Sequence, residues 1–283
     1  MPIKPIALLA KHVTPARAAA VLVPALLLAG VTLAKGQTAP PATAETAAPA
    51  APAGGAFTPA QRKEIEAIIR DILLTNPEIM LDVQNALEAK MDKIQAEKMA
   101  VALKEHADEL YRPANSPVVG NAKGDVPVIE FFDYNCGYCK KALSELAQLV
   151  DKDKKVRVIM KEFPILAKGS EEAARVALAA RMQGKYWEFH RAMLESPGQA
   201  NEASALRIAD KLGLDMARLK KDMTSPEIKK EIEETRQLAT KMGIQGTPHF
   251  IVGDKVIAGA PENLAELLGK HVAEVRKEGC KVC

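Results

Sequence analysis

Cysteine, aromatic side chains and net charge are all scarce in this chain of 283 residues. Its four cysteines are too few for the dense disulfide framework of a small secreted scaffold. A net charge of only +3 provides no basic footprint for nucleic acid, so we expect no nucleic-acid partner. Aromatic residues make up 4% of the chain and charged residues 27%, which favours a helix-rich protein.

The cysteines that are present form two Cys-x-x-Cys pairs, Cys136/Cys139 and Cys280/Cys283. The first pair follows an apolar run that predicts a buried strand, and it precedes a segment whose leucines recur at helical spacing. At a helix N-terminus, backbone N–H groups and the helix dipole stabilise a thiolate and lower its pKa. This context predicts thiol–disulfide exchange at the first pair. The alternative is a structural zinc site, for which the second pair would complete four ligands.

The N-terminal segment 1–35 predicts export. Its basic start is followed by an apolar stretch at 18–34, which fits either a cleaved signal peptide or a retained membrane anchor. Segment 36–57 is rich in Ala, Pro and Thr, and we interpret it as an extended linker. In both cases the rest of the chain would lie outside the cytoplasm, where disulfide chemistry operates.

A helical region is predicted at 58–112. Thr58 and Gln61 have the spacing of a capping box, and a second helix is expected from about Glu78 to Leu110. Five apolar residues recur every seven positions across this region: Leu73, Met80, Leu87, Ile94 and Val101. This repeat favours self-association. The alternative is an amphipathic helix that packs on the catalytic domain of its own chain.

The catalytic domain is predicted at 113–279. Its expected elements are a strand that begins with the apolar run 126–129, the Cys-x-x-Cys helix, a strand at 155–163, a helical block at about 168–242, a hairpin at 249–257 and a helix at 261–278. The tail at 280–283 follows the last patterned helix, so we expect it to be mobile and solvent-accessible. Its cysteine pair is either an auxiliary redox or metal-handling site or an incidental disulfide.

Four motifs carry a resemblance to a known family. They lie at 130–139, 161–166, 184–190 and 246–248, and their sequences are EFFDYNCGYC, KEFPIL, GKYWEFH and GTP. In this order they resemble the bacterial DsbA superfamily, and most closely its suppressor-of-copper-sensitivity branch, the ScsC-like proteins. The resemblance implies an α/β thioredoxin fold with a DsbA-type helical insertion, preceded by an α-helical oligomerisation region.

The resemblance also implies roles for individual residues. Cys136 would be the exposed nucleophile and Cys139 the shielded resolving thiol, and Glu130 would be a carboxyl that exchanges the proton of Cys139. The apolar neighbours of Glu130 favour its burial over a position on the surface at the sheet edge. Pro248 would form a cis-proline loop opposite the cysteines. Substrate contacts are expected at Gly137, Tyr138, Thr247, Pro248 and His249. A strand-surface role for His249 stays open, and no cofactor or metal ligand is implied at the site.

The spacer Gly137-Tyr138 and the threonine before Pro248 resemble the periplasmic disulfide isomerases more than the strongly oxidising members. We therefore expect a periplasmic, oligomeric isomerase or reductase that acts on misoxidised exported proteins and is served by a membrane thiol reductase. The resemblance favours a trimer. The alternatives are a DsbA-like dithiol oxidase, a copper-binding protein of copper tolerance that uses the tail cysteines, and a redox-silent assembly module.

Overall fold

The computed structural model describes residues 57–283. The predicted export segment and nearly all of the predicted linker lie outside the described residues. No helix within 57–283 is long and apolar enough to cross a membrane. The chain divides into two compact units between Ala67 and Ile68.

The described part of the first unit contains the start of helix α1 (Pro59–Thr75). The backbone N–H of Thr58 donates to Gln61 Oε1 over 2.8 Å, and the backbone N–H of Gln61 donates to Thr58 Oγ1 over 3.3 Å. Two N–H groups that have no intrahelical partner are thereby satisfied. The predicted capping box is confirmed.

The second unit continues with α2 (Glu78–Glu105) and the short α3 (Ala107–Tyr111). The single helix expected to reach Leu110 is therefore two helices, because the backbone departs from helical geometry at His106. Among the heptad residues, Met80, Leu87 and Val101 are more than half exposed. This stripe is unburied in the single chain.

Five described strands form one mixed sheet: β1 (Val118–Gly120), β2 (Val126–Phe132), β3 (Val156–Glu162), β4 (His249–Val252) and β5 (Lys255–Ala258). Their order is β1-β3-β2-β4-β5. β2 and β3 are parallel, and the other neighbours are antiparallel. The four predicted strands are present, but β1 was missed because three residues form too short a pattern.

Seven more helices in the described chain complete the fold: α4 (Gly137–Lys152), α5 (Lys168–Arg181), α6 (Tyr186–Glu195), α7 (Glu202–Lys211), α8 (Met216–Asp222), α9 (Pro226–Lys241) and α10 (Leu264–Glu278). The block α5–α9 is the predicted helical insertion. Side chains alternate along β2 and therefore enter two hydrophobic cores on opposite faces of the sheet. Val128 and Phe132 pack in the first core, and Ile129 and Phe131 pack in the second. The first core includes α4 and the insertion, and the second includes the end of α2.

The second core bears on where the catalytic domain begins. Met99, Leu103 and Leu110 are buried in it together with Ile129 and Phe131 of the central strand. By contrast, no residue at 57–92 is buried. Although a boundary at 112 was predicted, the packing of the catalytic domain continues back to about residue 99.

The tail is less accessible than expected, because Cys280, Val282 and Cys283 are half-buried and only Lys281 is exposed. Cys280 and Cys283 form a disulfide, and Cys280 packs against the first core. Val282 and Cys283 pack against the second core. The tail turns back onto the β4–β5 hairpin, where Gly253 lies beside Cys280, and this contact covers apolar surface that a free tail would leave exposed.

Candidate active site

Cys136 occupies the position before α4 and caps that helix. Its backbone is extended, with φ −79° and ψ 116°, and its Sγ accepts a hydrogen bond from the backbone N–H of Cys139 over 3.4 Å. The predicted junction of strand and helix is confirmed. Both cysteines are buried, but Cys136 is 5% exposed and Cys139 is 0% exposed. Cys136 is therefore less open than the expected exposed nucleophile.

The two thiols differ sharply in acidity. The hydrogen bond from the Cys139 side chain, with further ones from the backbone at the start of α4, lowers the pKa of Cys136 to about 5, although burial opposes the shift. Burial raises the pKa of Cys139, and the hydrogen bond with Cys136 and the charge of Glu130 raise it further. At neutral pH the pair therefore holds one thiolate and one thiol, with the negative charge on Cys136.

Glu130 lies in the middle of β2 and is 2% exposed, as predicted from its apolar neighbours. It has the same parity along the strand as Val128 and Phe132, so its side chain faces the first core, which also contains Cys139. Burial, and then the negative charge of Cys136, raises the pKa of Glu130 to about 8. A carboxyl with such a pKa can accept and return a proton near neutral pH.

The loop before β4 faces the cysteines. The Thr247–Pro248 peptide bond is cis, as predicted. The carbonyl oxygen of Thr247 lies 3.2 Å from Cys136 Sγ. This loop therefore covers the reactive sulfur and explains why Cys136 is nearly buried.

His249 follows directly as the first residue of β4. Its side chain is buried, and its Nε2 has no hydrogen-bond partner among the described residues. Burial lowers the pKa of His249 to about 4, so the ring is neutral at pH 7. The strand-surface alternative for His249 is wrong.

The two spacer residues have different environments. Tyr138 is 60% exposed, and the ammonium of Lys141 lies 5.3 Å from the centre of its ring. A Cβ added to Gly137 would contact nothing within 4 Å, so the local packing does not require glycine there. The spacer therefore presents an open face on which Tyr138 is the main apolar side chain.

Sequence reasoning missed two residues that hold the loop between β2 and α4. Buried Asp133 accepts hydrogen bonds from the backbone N–H groups of Asn135, Ile165 and Leu166, at 2.7–2.9 Å. The side chain of Asn135 in turn bonds both backbone groups of Ala200. The sequence did carry a signal for them, because both are polar residues placed between an apolar strand and the Cys-x-x-Cys.

The domain model for the DsbA-like thioredoxin domain matches residues 127–269, just over half of the chain. The chain belongs to the DsbA-like thioredoxin family. The model for the N-terminal domain of the copper resistance protein ScsC matches residues 61–92 of this DsbA-like chain. The resemblance predicted from the four motifs and the thioredoxin fold are both confirmed.

Solved structures similar to this DsbA-like chain agree with this assignment. A thioredoxin-like oxidoreductase from Silicibacter pomeroyi is 48% identical, with a TM-score of 0.58, over 60% of this chain and 97% of that one. Proteus mirabilis ScsC in a transitional conformation is 28% identical, with a TM-score of 0.57, over 77% of this chain and 100% of that one.

A curated relative is the Na(+)/H(+) antiporter NhaA 3 of Salinispora tropica, which is 29% identical over 55% of this chain. The chain spans about a quarter of that antiporter's length, since the match covers 24% of it. The similarity therefore concerns one part of a longer protein.

Proposed function

We propose that this protein is a periplasmic thiol–disulfide oxidoreductase that works as an oligomeric isomerase or reductase on misoxidised exported proteins. The observation that carries the proposal is the asymmetry of the cysteine pair: the pKa of Cys136 is lowered to about 5 by hydrogen bonds, first of all from Cys139, whereas burial raises the pKa of Cys139. Only the thiolate attacks a disulfide, so attack begins at Cys136.

In the first step the Cys136 thiolate attacks one sulfur of a substrate disulfide. The substrate S–S bond breaks, a mixed disulfide forms, and the other substrate sulfur leaves as a thiolate. In an isomerisation, that thiolate attacks a second substrate disulfide, and substrate exchange finally returns the Cys136 thiolate. No net electrons are transferred in this cycle.

Reduction needs Cys139. Glu130 accepts the proton of Cys139, whose thiolate attacks the Cys136 sulfur and releases the reduced substrate. Two electrons pass to the substrate, and Cys136–Cys139 becomes a disulfide. Burial still raises the pKa of Glu130 in the mixed disulfide, but Cys136 then carries no charge, so the smaller contribution from that charge is removed. The carboxyl is then more ionised at the moment when it must accept a proton.

The exposed heptad stripe of α1 and α2 supports the oligomeric part of the proposal. Large apolar side chains are exposed along this helical segment, and self-association would bury them. Several catalytic domains joined in this way raise the effective concentration of Cys136 around one misfolded substrate.

The decisive experiment is the refolding of a scrambled-disulfide protein by full-length material, with molar mass measured by light scattering. We expect turnover together with an oligomeric mass. In the same assay Cys139→Ser should accumulate a mixed disulfide with the substrate, and Cys136→Ser should show neither turnover nor adduct. Turnover by Cys136→Ser would overturn the proposal. Oxidation of reduced substrate without reshuffling would assign the alternative role of dithiol oxidase.

A further inference from the structure

The helical insertion is bonded to the chain on both sides of the active-site cysteine pair. Before the pair, the side-chain amide of Asn135 donates to the carbonyl oxygen of Ala200 over 3.0 Å. After the pair, the ammonium of Lys140 donates to the carbonyl oxygens of Ser196 and Gly198, each over 3.1 Å. These three carbonyl groups belong to the connection between α6 and α7. One short segment of the insertion therefore contacts both flanks of the Cys-x-x-Cys.

Lys140 connects the insertion to the first turn of α4. Its side chain is half-buried, and hydrogen bonds from a charged donor are roughly twice as strong as those between neutral groups. The backbone N–H of Lys140 also donates to the carbonyl oxygen of Cys136 over 3.1 Å. Lys140 thus joins the insertion at its side chain and the reactive cysteine at its backbone.

A buried hydrogen-bond network holds Tyr134, which lies two positions before Cys136. The Tyr134 hydroxyl donates to Glu162 Oε1 over 3.1 Å and lies 3.3 Å from His190 Nδ1. The hydroxyl of Tyr186 donates to the same carboxyl oxygen over 2.9 Å. Glu162 ends β3, whereas Tyr186 and His190 belong to α6. The network therefore joins the cysteine loop to both the sheet and the insertion.

The hydroxyl of Tyr134 takes part in this network both as a donor and as an acceptor. A hydroxyl has only one proton to donate, so donation to Glu162 leaves the Tyr134 oxygen to accept from the Nδ1–H of His190. Burial lowers the pKa of His190 to about 3, so the ring is neutral and its proton is on Nδ1. Buried polar networks of this kind restrict the position of each member.

We propose that the helical insertion acts as a clamp that holds the Cys136 sulfur at the start of α4, with Tyr134 and Lys140 as its positioning residues. The inference rests on the proposed function, because it concerns the thiolate that makes the first attack. Cys136 Sγ accepts a hydrogen bond from the first turn of α4, and such bonds depend steeply on distance and angle. If either side of the clamp is lost, the sulfur and its donors should align less well, and the thiolate should become less stable.

The test measures the acidity of Cys136 and the redox equilibrium of the cysteine pair in full-length protein. Alkylation of the reduced protein by iodoacetamide is followed against pH, and the pair is equilibrated with reduced and oxidised glutathione. Tyr134→Phe and Lys140→Met should each raise the midpoint of labelling by about one pH unit, because weaker hydrogen bonding disfavours the charged form. The glutathione equilibrium should shift roughly tenfold toward the protein disulfide, since the reduced form loses stabilisation of its thiolate.

Matched variants separate the clamp from a general loss of packing or of charge. Tyr186→Phe removes a hydroxyl from the same oxygen of Glu162 but lies outside the cysteine loop. Lys152→Met removes an exposed lysine from the last turn of the same helix. Both variants should keep the labelling midpoint of wild type. Lys140→Arg retains a charged donor for the two carbonyl groups and should restore most of the shift that Lys140→Met causes.

The outcomes separate this inference from the proposed function. If wild type exchanges with no protein disulfide but the midpoints shift as stated, the proposed function fails and the clamp stands. An unchanged midpoint in either Tyr134→Phe or Lys140→Met would overturn the clamp, whatever happens to the melting temperature. Equal shifts in these variants and in Tyr186→Phe or Lys152→Met would also overturn it, because acidity would then follow general packing or charge.

Discussion

Cys136 Sγ lies 3.2 Å from the carbonyl oxygen of Thr247, although 111 positions separate the two residues in the chain. The contact joins the start of α4 to the loop that begins β4. It limits access to the reactive sulfur from one side. A substrate must therefore replace or extend this contact to reach Cys136.

The acidity of Cys136 can be measured by alkylation. Hydrogen bonds, first from the Cys139 side chain and then from the backbone at the start of α4, lower the pKa of Cys136 from 9.0 to about 5. We therefore expect the rate of labelling of the reduced protein by iodoacetamide to rise with a midpoint near pH 5 and to modify Cys136 first. A midpoint near pH 9, or first labelling of Cys139, would contradict the assignment.

The same shift makes the stability of the reduced protein depend on pH. Between about pH 5 and 9 Cys136 of the folded protein has lost a proton that the unfolded chain retains, so the contribution of Cys136 to the free energy of unfolding should rise with pH across this window. Below pH 5 both states hold the proton and this contribution disappears. Urea unfolding of the reduced wild type and of Cys136→Ser across this pH range measures the contribution, because the variant lacks the thiol that titrates.

Glu130 should affect the pH dependence of the free energy of unfolding in the opposite direction. Burial, with a contribution from the charge of Cys136, raises the pKa of Glu130 from 4.5 to about 8. Between these values the folded protein holds a proton that the unfolded chain has lost. The contribution of Glu130 to the free energy of unfolding should therefore fall as pH rises, by at most about 1.4 kcal/mol per pH unit, and become flat above pH 8. In the reduced wild type it opposes the contribution of Cys136 between about pH 5 and 8. Glu130→Gln should remove this slope.

The kinetic effect of Glu130→Gln should appear in the step that needs Cys139. Loss of the proton acceptor should slow release of the mixed disulfide by roughly 10²–10⁴-fold. The first attack by Cys136 should change much less, and stopped-flow reduction of a model disulfide separates the two rates. Equal slowing of both steps would indicate that Glu130 supports the structure of the site and does not transfer a proton.

Two truncations test how the N-terminal helices are used. Deletion of 58–92 removes no buried residue, so we expect a folded monomer that still reduces small disulfides but reshuffles scrambled protein poorly. Deletion of 58–110 also removes Met99, Leu103 and Leu110 from the second core. Each loss should cost about 2–5 kcal/mol, so this shorter chain should not fold.

Light scattering measures the molar mass of both truncated proteins, and circular dichroism measures their thermal unfolding. A 58–92 deletion that keeps the molar mass of the full chain would contradict oligomerisation through the heptad stripe. A 58–110 deletion that melts like the full chain would contradict the assignment of the end of α2 to the catalytic core.

The tail predicts a stability effect. Cys280 and Cys283 close a short disulfide loop against both cores, so Cys280→Ser/Cys283→Ser should lose about 2 kcal/mol of unfolding free energy by the loop-entropy relation. Copper titration of the reduced wild type and of this variant tests the copper alternative. A drop in copper stoichiometry with reshuffling unchanged would favour a metal-handling role, whereas loss of stability alone makes the pair structural.

The local structural elements could be predicted from the sequence because each depends on residues that are close together in the chain. The capping box at Thr58, the strand-to-helix position of Cys136 and the turn at Gly253 each depend on residues within a few positions. Side-chain size and hydrogen bonding dictate such patterns before any tertiary contact forms. Burial of Glu130 was predicted in the same way, from its apolar neighbours.

Only the tertiary structure decided which distant segments meet. The approach of Thr247 to Cys136, the burial of His249 and the packing of the tail depend on contacts between residues far apart in the chain. No local pattern marks the end of α2 as part of the core, because the same apolar spacing suits a partner helix or the chain's own sheet. Sequence thus determined the chemistry of the cysteine pair, and the fold determined its surroundings, since burial and proximity set acidity and access.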